Sequence, residues 1–349
     1  MAKASRREIL VGGAALAALP ASPCIALPQS RPLSRIAFGS CAHQDKPQPI
    51  WDRVNGWQPE LFIFLGDNIY GDTLDMAVMR AKYGQLAAKP GFRELRRKSE
   101  IIATWDDHDY GKDDAGREYP KKKESRDVFM DFWNEPQDSP RRTREGIYTS
   151  YMYGPKGRRV QVILPDNRWF RSGLIKITEE PRDKGPYLVN SDKAATMLGP
   201  VQWEWLEAEL RKPADLRIFA SSTQVLADNP AWEAWINFQA EHQRLLDLID
   251  FAEVNGLIMI SGDTHYAELS RLAVGVPYPL WDLTSSGLTE TWPYIAPNRL
   301  RVGKGYSIPN YGRIAIDWER KDPLVMLEVE TIEGKLVISQ AVPLSSLKG

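Results

Sequence analysis

Four short stretches of this sequence gather the side chains able to do chemistry: Gly39 to His43 (GSCAH), Gly66 to Asp72 (GDNIYGD), Trp105 to Asp109 (WDDHD) and Gly262 to His265 (GDTH). They hold three of the four histidines, one of the two cysteines and several aspartates. If Cys41, Asp67, Tyr70, Asp107, Asp263 and His265 converge, three carboxylates come together out of water. Like-charge repulsion and desolvation would then raise their pKa values, so they cannot all stay ionised alone. Bound cations resolve that conflict. Thiolate, imidazole and phenolate suit an iron or zinc type of ion, whereas grouped carboxylates suit Ca²⁺, Mg²⁺ or Mn²⁺. One aspartate shared by two such ions would hold them roughly 3.5–4 Å apart, the spacing used for in-line displacement at phosphorus. Asp67 is the candidate bridge.

Each stretch follows an apolar run: Arg35 to Phe38, Leu61 to Leu65, Ile101 to Trp105 and Leu257 to Ile260. This is the pattern of buried parallel strands delivering ligands at their carboxyl ends, where open α/β sheets bind them. Between the strands, Asp75 to Lys89, Gly91 to Lys98, Glu124 to Asn134, Gly199 to Leu210 and Glu233 to Phe251 read as helices. Ile147 to Met152, Arg159 to Leu164, Leu216 to Ala220, Leu280 to Leu283, Ile314 to Trp318, Val325 to Glu330 and Leu336 to Gln340 read as further strands. The first third is therefore βαβ-like and the last third mostly antiparallel, an order satisfied by two packed mixed sheets with outer helices. The charged, turn-rich segment 116–146 is the expected lid.

With 349 residues and 43% hydrophobic content, the chain can bury a large core. A net charge of -1 gives no global attraction to nucleic acid or anionic lipid. Residues 1–28 read as a signal peptide and linker, since Ser5-Arg6-Arg7-Glu8-Ile9-Leu10 resembles a twin-arginine export signal. The apolar run from Ile9 to Leu19 is too short to span a bilayer as a mature helix. Cleavage is expected between Ala21 and Pro28, after a small residue such as Ala26; Pro23 fits a lipobox poorly, which argues against a lipid anchor on Cys24. Residues 29–349 are then one catalytic domain, expected to be a periplasmic or secreted monomer, with the twin-arginine translocase as its partner during export. Strand 35–38 begins so soon after the linker that no added N-terminal module is expected. Removal of the signal leaves Cys41 without an internal disulfide partner.

Taken in order, GSC at 39–41, GDNIYGD at 66–72, WDDHD at 105–109 and GDTH at 262–265 resemble the PhoD-like (alkaline phosphatase D) branch of the metallophosphoesterases. LPDNRWFR at 164–171 and LGPVQWEWL at 198–206 extend the likeness over nearly all of the mature chain. The resemblance implies a four-layer α-β-β-α sandwich of two mixed sheets. It implies a ferric ion on Cys41, Asp67, Tyr70 and His265, and Ca²⁺ or a similar ion on Asp67, Asp107 and Asp263. Mn²⁺, Zn²⁺ or Mg²⁺ at either site fits the same donors. The implied reaction is hydrolysis of small phosphate mono- or diesters by a metal-activated hydroxide, with His108 protonating the leaving oxygen. Asp109 or Asp72 would support the protonated His108. Related proteins often carry paired asparagines shortly after that histidine and bind a further Ca²⁺ there, whereas this chain has Asp113-Asp114.

Blander roles stand beside these. The aspartates and His265 could be hydrogen-bonded loop caps, Cys41 a buried thiol, and Tyr70 a packing residue. His43 is expected at the substrate or behind the ligands, with direct ligation the alternative. Arg168 and Arg171 form either a bidentate phosphate clamp or a surface ion pair. His242 reads as structural. The tryptophans at 203, 205, 232, 235, 281 and 292 could build a glycan platform, but most are expected in the core or pocket wall. Two other functions fit the composition: a noncatalytic exported Ca²⁺-stabilised glycan-binding protein, and a carboxylate-pair glycosidase.

Overall fold

The computed structural model describes residues 30–177, 185–229 and 232–349. The expected export signal, its cleavage site and Cys24 lie outside the described residues.

The first sheet takes β1 (Arg35–Gly39), β2 (Leu61–Leu65) and β3 (Glu100–Thr104) in parallel. Beside β1 lies an antiparallel meander of β12 (Asn310–Asp317), β13 (Leu324–Thr331) and β14 (Leu336–Pro343), giving the order β14-β13-β12-β1-β2-β3. The second sheet contains β4 (Thr149–Tyr153), β5 (Val160–Leu164), β8 (Leu216–Ala220), β9 (Leu257–Ser261), β10 (Ala267–Leu272) and β11 (Leu280–Ser285). Its order is β10-β11-β9-β8-β5-β4, with the central strands β11, β9, β8 and β5 parallel. A small ribbon pairs β6 (Ile175–Lys176) with β7 (Tyr187–Leu188).

β2 explains the layering. Its five residues are all buried, with Leu61, Ile63 and Leu65 facing the core between the sheets. Phe62 and Phe64 face the other way, onto α1 (Ile50–Trp57), α2 (Met76–Ala88), α3 (Pro90–Lys98) and α5 (Lys122–Phe132) through Trp51, Val54, Met79, Leu86, Phe92 and Phe129. A strand covered on both faces reads as an unbroken apolar run, because alternation has no solvent side to mark. On the far side of the second sheet, Trp203 and Leu206 of α6 (Gly199–Leu210) and Leu245 and Ile249 of α7 (Gln239–Phe251) bury against its strands. The result is the expected four layers, α-β-β-α.

Three local expectations differ. Residues 233–251 are not one helix: Asn237 Oδ1 accepts from Ala234 N at 2.7 Å, closing a tight turn before α7 starts at Gln239. β10 went unread because its alternate residues Glu268 and Ser270 are polar yet buried, which hides the pattern. Segment 116–146 carries α5, whose Val128, Phe129 and Met130 are core residues, so this part belongs to the outer layer. No described residue of 116–146 lines the main cleft. No helix among the described residues is long and apolar enough to cross a membrane.

Candidate metal centre

Parallel pairing of β1, β2 and β3 brings the loops after them to one edge, and β9 brings its own loop to the same place from the second sheet. The turns are tight enough to force left-handed backbone at candidate ligand positions: Cys41 (φ 63), Asp67 (φ 48), Asp263 (φ 72) and His265 (φ 59). Such values are uncommon for residues with a Cβ, and they cluster at functional sites. Gly66, at φ 100, permits a close approach, since a Cβ there would overlap the Asp106 side chain and lie 2.6 Å from Asp106 N.

Ligand atoms fall into overlapping sets whose members all lie within 4.8 Å of one another. Cys41, Asp67 and His265 form one; Asp67, Asp106, Asp107 and Asp263 form another; Asp67, Asp107 and His108 form a third. Asp67 belongs to all three. The Tyr70 hydroxyl lies 3.0 Å from His265 Nε2. Cys41 Sγ is 3.4 Å from Asp67 Oδ2 and 3.2 Å from Ser286 Oγ. Asp107, Asp113 and Asp114 compose a separate acidic group beside the centre.

The donors fit cations. Asp67 Oδ1, Asp106 Oδ2 and Asp107 Oδ1 are buried without a hydrogen-bond partner among the described residues. Burial, followed by repulsion from Cys41 and Asp107, holds the Asp67 carboxyl well above its ordinary range. Asp263 is raised too, by burial and then by Asp106, Glu233 and Asp107. Burial pushes the Cys41 thiol up to about 12 and Tyr70 higher than a free phenol. It drives His265 down to about 4, toward the neutral form that ligates. Burial leads each of these shifts; at Asp67 and Asp263 repulsion from neighbouring acidic groups adds to it, the signature of a site short of positive charge.

His108 is different. Burial lowers its basicity, but the carboxylates of Asp107, Asp67 and Asp72 outweigh that and raise it to about 11. Nδ1 sits 2.8 Å from Asp72 Oδ1, which leaves Nε2 free to face the cleft, with Asp113 Oδ1 3.8 Å away. Asp72 is thus the partner of His108, and Asp109 is not. Asp109 Oδ1 accepts from the backbone N–H of Asp67 (3.1 Å) and Asp106 (2.8 Å), while Oδ2 accepts from Asn68 Nδ2 and Tyr83 Oη. It ties two ligand loops together.

Arg168 and Arg171 are buried rather than at the surface. Arg168 Nε donates to Asp106 Oδ1 at 2.5 Å, its Nη1 is 2.5 Å from Glu233 Oε2, and Arg171 Nη2 is 3.1 Å from Glu233 Oε1. Neither arginine lines the cleft. His43 stacks on Tyr70 with ring centroids 4.6 Å apart and is not among the residues lining the cleft. His242 is a half-buried residue on α7, and desolvation of its ring drives it down to about 4.

Over the centre opens a cleft of about 250 Å³, walled by Asp113, Asp114, Trp232, Glu233, Tyr266, Trp292 and Tyr294 as well as the ligands. Trp232 and Trp292 stand in the pocket wall, one of the places expected for the tryptophans, whereas Asp106, Glu233, Tyr266 and Tyr294 are not among the site residues expected from sequence. Asp106 was visible as the doublet with Asp107. Glu233 had no local signal, because its role depends on arginines more than sixty positions away in sequence.

The fold is similar to that of PhoD, at 15% identity over 92% of this chain and 70% of that one, with a TM-score of 0.71. A purple acid phosphatase from yellow lupin superposes with a TM-score of 0.63 at 11% identity, covering 91% of this chain and 55% of that one. GAP50 of Plasmodium, described as the anchor in the inner membrane complex, has a TM-score of 0.58 at 10% identity, covering 90% and 89%. At such identities the likeness is one of fold. No curated protein sequence matches the chain. The PhoD-like phosphatase family model matches residues 36–293, well over half of the length and all four ligand-bearing loops. The chain belongs to the PhoD-like phosphatase family, a phosphoric ester hydrolase whose metal dependence accords with the donors gathered between its sheets.

Proposed function

We propose that this protein hydrolyses small phosphate mono- or diesters with the help of two neighbouring cations, both of which Asp67 would help to hold. Cys41, Asp67, Tyr70 and His265 would hold a ferric ion, and Asp67, Asp107 and Asp263 a Ca²⁺ or another hard divalent ion. The supporting observation is Asp67 itself: buried, with an unpartnered oxygen, and common to three ligand sets. When bound, such a pair of ions acidifies a water for attack at phosphorus and offsets charge on the phosphoryl oxygens.

The remaining roles fall to the chain. His108, protonated and oriented by Asp72 through Nδ1, presents Nε2 toward the cleft, where it would donate a proton to the departing alkoxide. Asp109 holds the backbones of Asp67 and Asp106 at fixed separation. Arg168 compensates the charge of Asp106 and, at 3.7 Å, of Asp107, acting behind the centre. Export by the twin-arginine route rests on Ser5 to Leu10 and belongs to the same proposal, as do residues 1–28 as signal and linker, 29–349 as the catalytic domain, and a monomeric state. N-terminal sequencing and the native mass of the exported protein test that part.

Elemental analysis of native protein, with its visible spectrum and its hydrolysis of p-nitrophenyl phosphate and bis(p-nitrophenyl) phosphate, tests the centre. Two metals per chain, a visible tyrosinate band and loss of activity on chelation are expected. Full activity in a chelated protein would rule the metal-dependent reading out. A colourless, iron-free but active protein would remove Tyr70 and Cys41 from the iron assignment.

A further inference from the structure

We propose that Trp232 and Trp292 form an aromatic clamp at the cleft mouth that selects phosphoesters whose alcohol portion is flat and uncharged; this rests on the phosphoesterase reading above. Both rings line the cleft that holds the ligand loops, with centroids 6.2 Å apart and planes at 66°. Trp292 is 49% exposed, among the largest apolar side chains the described surface leaves to water. Tyr266 and Tyr294 continue the same wall.

Each tryptophan is rooted in the centre. The backbone N–H of Trp292 donates to the carbonyl of His265 at 3.0 Å. Trp232 precedes Glu233, which is fixed by Arg168 and Arg171, and Arg168 in turn holds Asp106. A group extending from a phosphoryl at the centre would therefore meet rings at set positions, which keeps the ordering entropy of stacking low.

Charge narrows the class further. The described residues lining the cleft include no lysine or arginine, while Asp113 and Asp114 face it. The nearest guanidinium groups are already engaged by Glu233 and Asp106. An alcohol portion carrying a carboxylate or second phosphate would find repulsion from Asp113 and Asp114 and no counter-ion besides His108, which the leaving oxygen engages.

The experiment uses non-hydrolysable phosphonates, so that leaving-group reactivity plays no part. In the metal-loaded protein, phenylphosphonate, methylphosphonate and 4-carboxyphenylphosphonate are compared as competitive inhibitors and by quenching of tryptophan fluorescence. Phenylphosphonate is expected to bind about tenfold tighter than methylphosphonate, the upper range of one aromatic contact, and the carboxylate is expected to erase most of that gain. Trp292→Ala and Trp232→Ala should each shrink the phenyl preference about threefold or more, and Trp292→Phe should retain it. Equal affinities for phenyl- and methylphosphonate, or a preference untouched in both alanine variants, would overturn the clamp while leaving the hydrolase intact. Tightest binding of the carboxyphenyl compound would overturn the charge argument and the proposal with it. A loaded protein that binds none of the three would defeat the phosphoesterase reading as well.

Discussion

At the scale of single residues, His108 and Asp72 carry the sharpest test. His108→Ala should lower kcat by about 10²- to 10⁴-fold on alkyl phosphoesters. With p-nitrophenolate, which departs without a proton, the loss should be much smaller. Equal losses on both would show that His108 does not donate to the leaving oxygen. Asp72 raises the basicity of His108, so Asp72→Asn should move the alkaline limb of the kcat profile to lower pH, because the proton is then lost earlier. The ligand types were legible in the sequence, since Asp67, Asp107, Asp263 and His265 each follow an apolar run at a strand end. What could not be read was which of two nearby carboxylates serves His108. That choice is made by the direction of side chains on the short helix Asp107–Tyr110, where Asp109 turns back to the Asp67 backbone.

At the scale of elements, the strand-to-loop junctions decide the geometry. The bounds of β2 and β8 are legible to the residue because their apolar runs stop at Gly66 and Ser221, whereas the start of α7 is not, because the turn at 235–237 has no glycine or proline to mark it. Gly66→Ala places a Cβ against Asp106 at a backbone angle that disfavours side chains. The expected result is a loss of about 1–3 kcal/mol of stability, together with weakened metal retention, read by denaturant unfolding with and without chelator. If Gly66→Ala proved as stable and as well metallated as the parent, the junction would not be under the constraint described.

At the scale of the molecule, the uncompensated centre makes stability depend on pH. In the metal-free chain, Asp67, Asp263, Asp109 (raised to about 7) and Asp114 (raised to about 7) keep protons that the unfolded chain releases near pH 4. His108, raised to about 11, stays protonated after an unfolded histidine has lost its proton. Native protein then binds more protons than unfolded protein, so stability falls as pH rises. His265 and His242, both lowered to about 4, act oppositely, but their effect fades above about pH 6.5 as an unfolded histidine loses its proton. From about pH 6.5 to 8.5 the melting temperature of chelated protein should therefore drop, and metal loading should flatten the slope. A flat profile in the chelated protein would contradict these environments.

The centre also straddles a seam. Cys41, Asp67, Tyr70 and Asp107 come from loops of one sheet, Asp263 and His265 from the other. Ions seated there would rivet two slabs that otherwise meet through an apolar core and a few hydrogen bonds, among them Arg168 Nε to Asp106 Oδ1 and Trp105 Nε1 to Asp166 Oδ1. Chelation should then loosen one rim of the sandwich like an opened hinge: amide exchange should quicken just past the carboxyl ends of β1, β2 and β9 and stay slow at their amino ends. Uniform acceleration along those strands would mean that the ions fasten nothing.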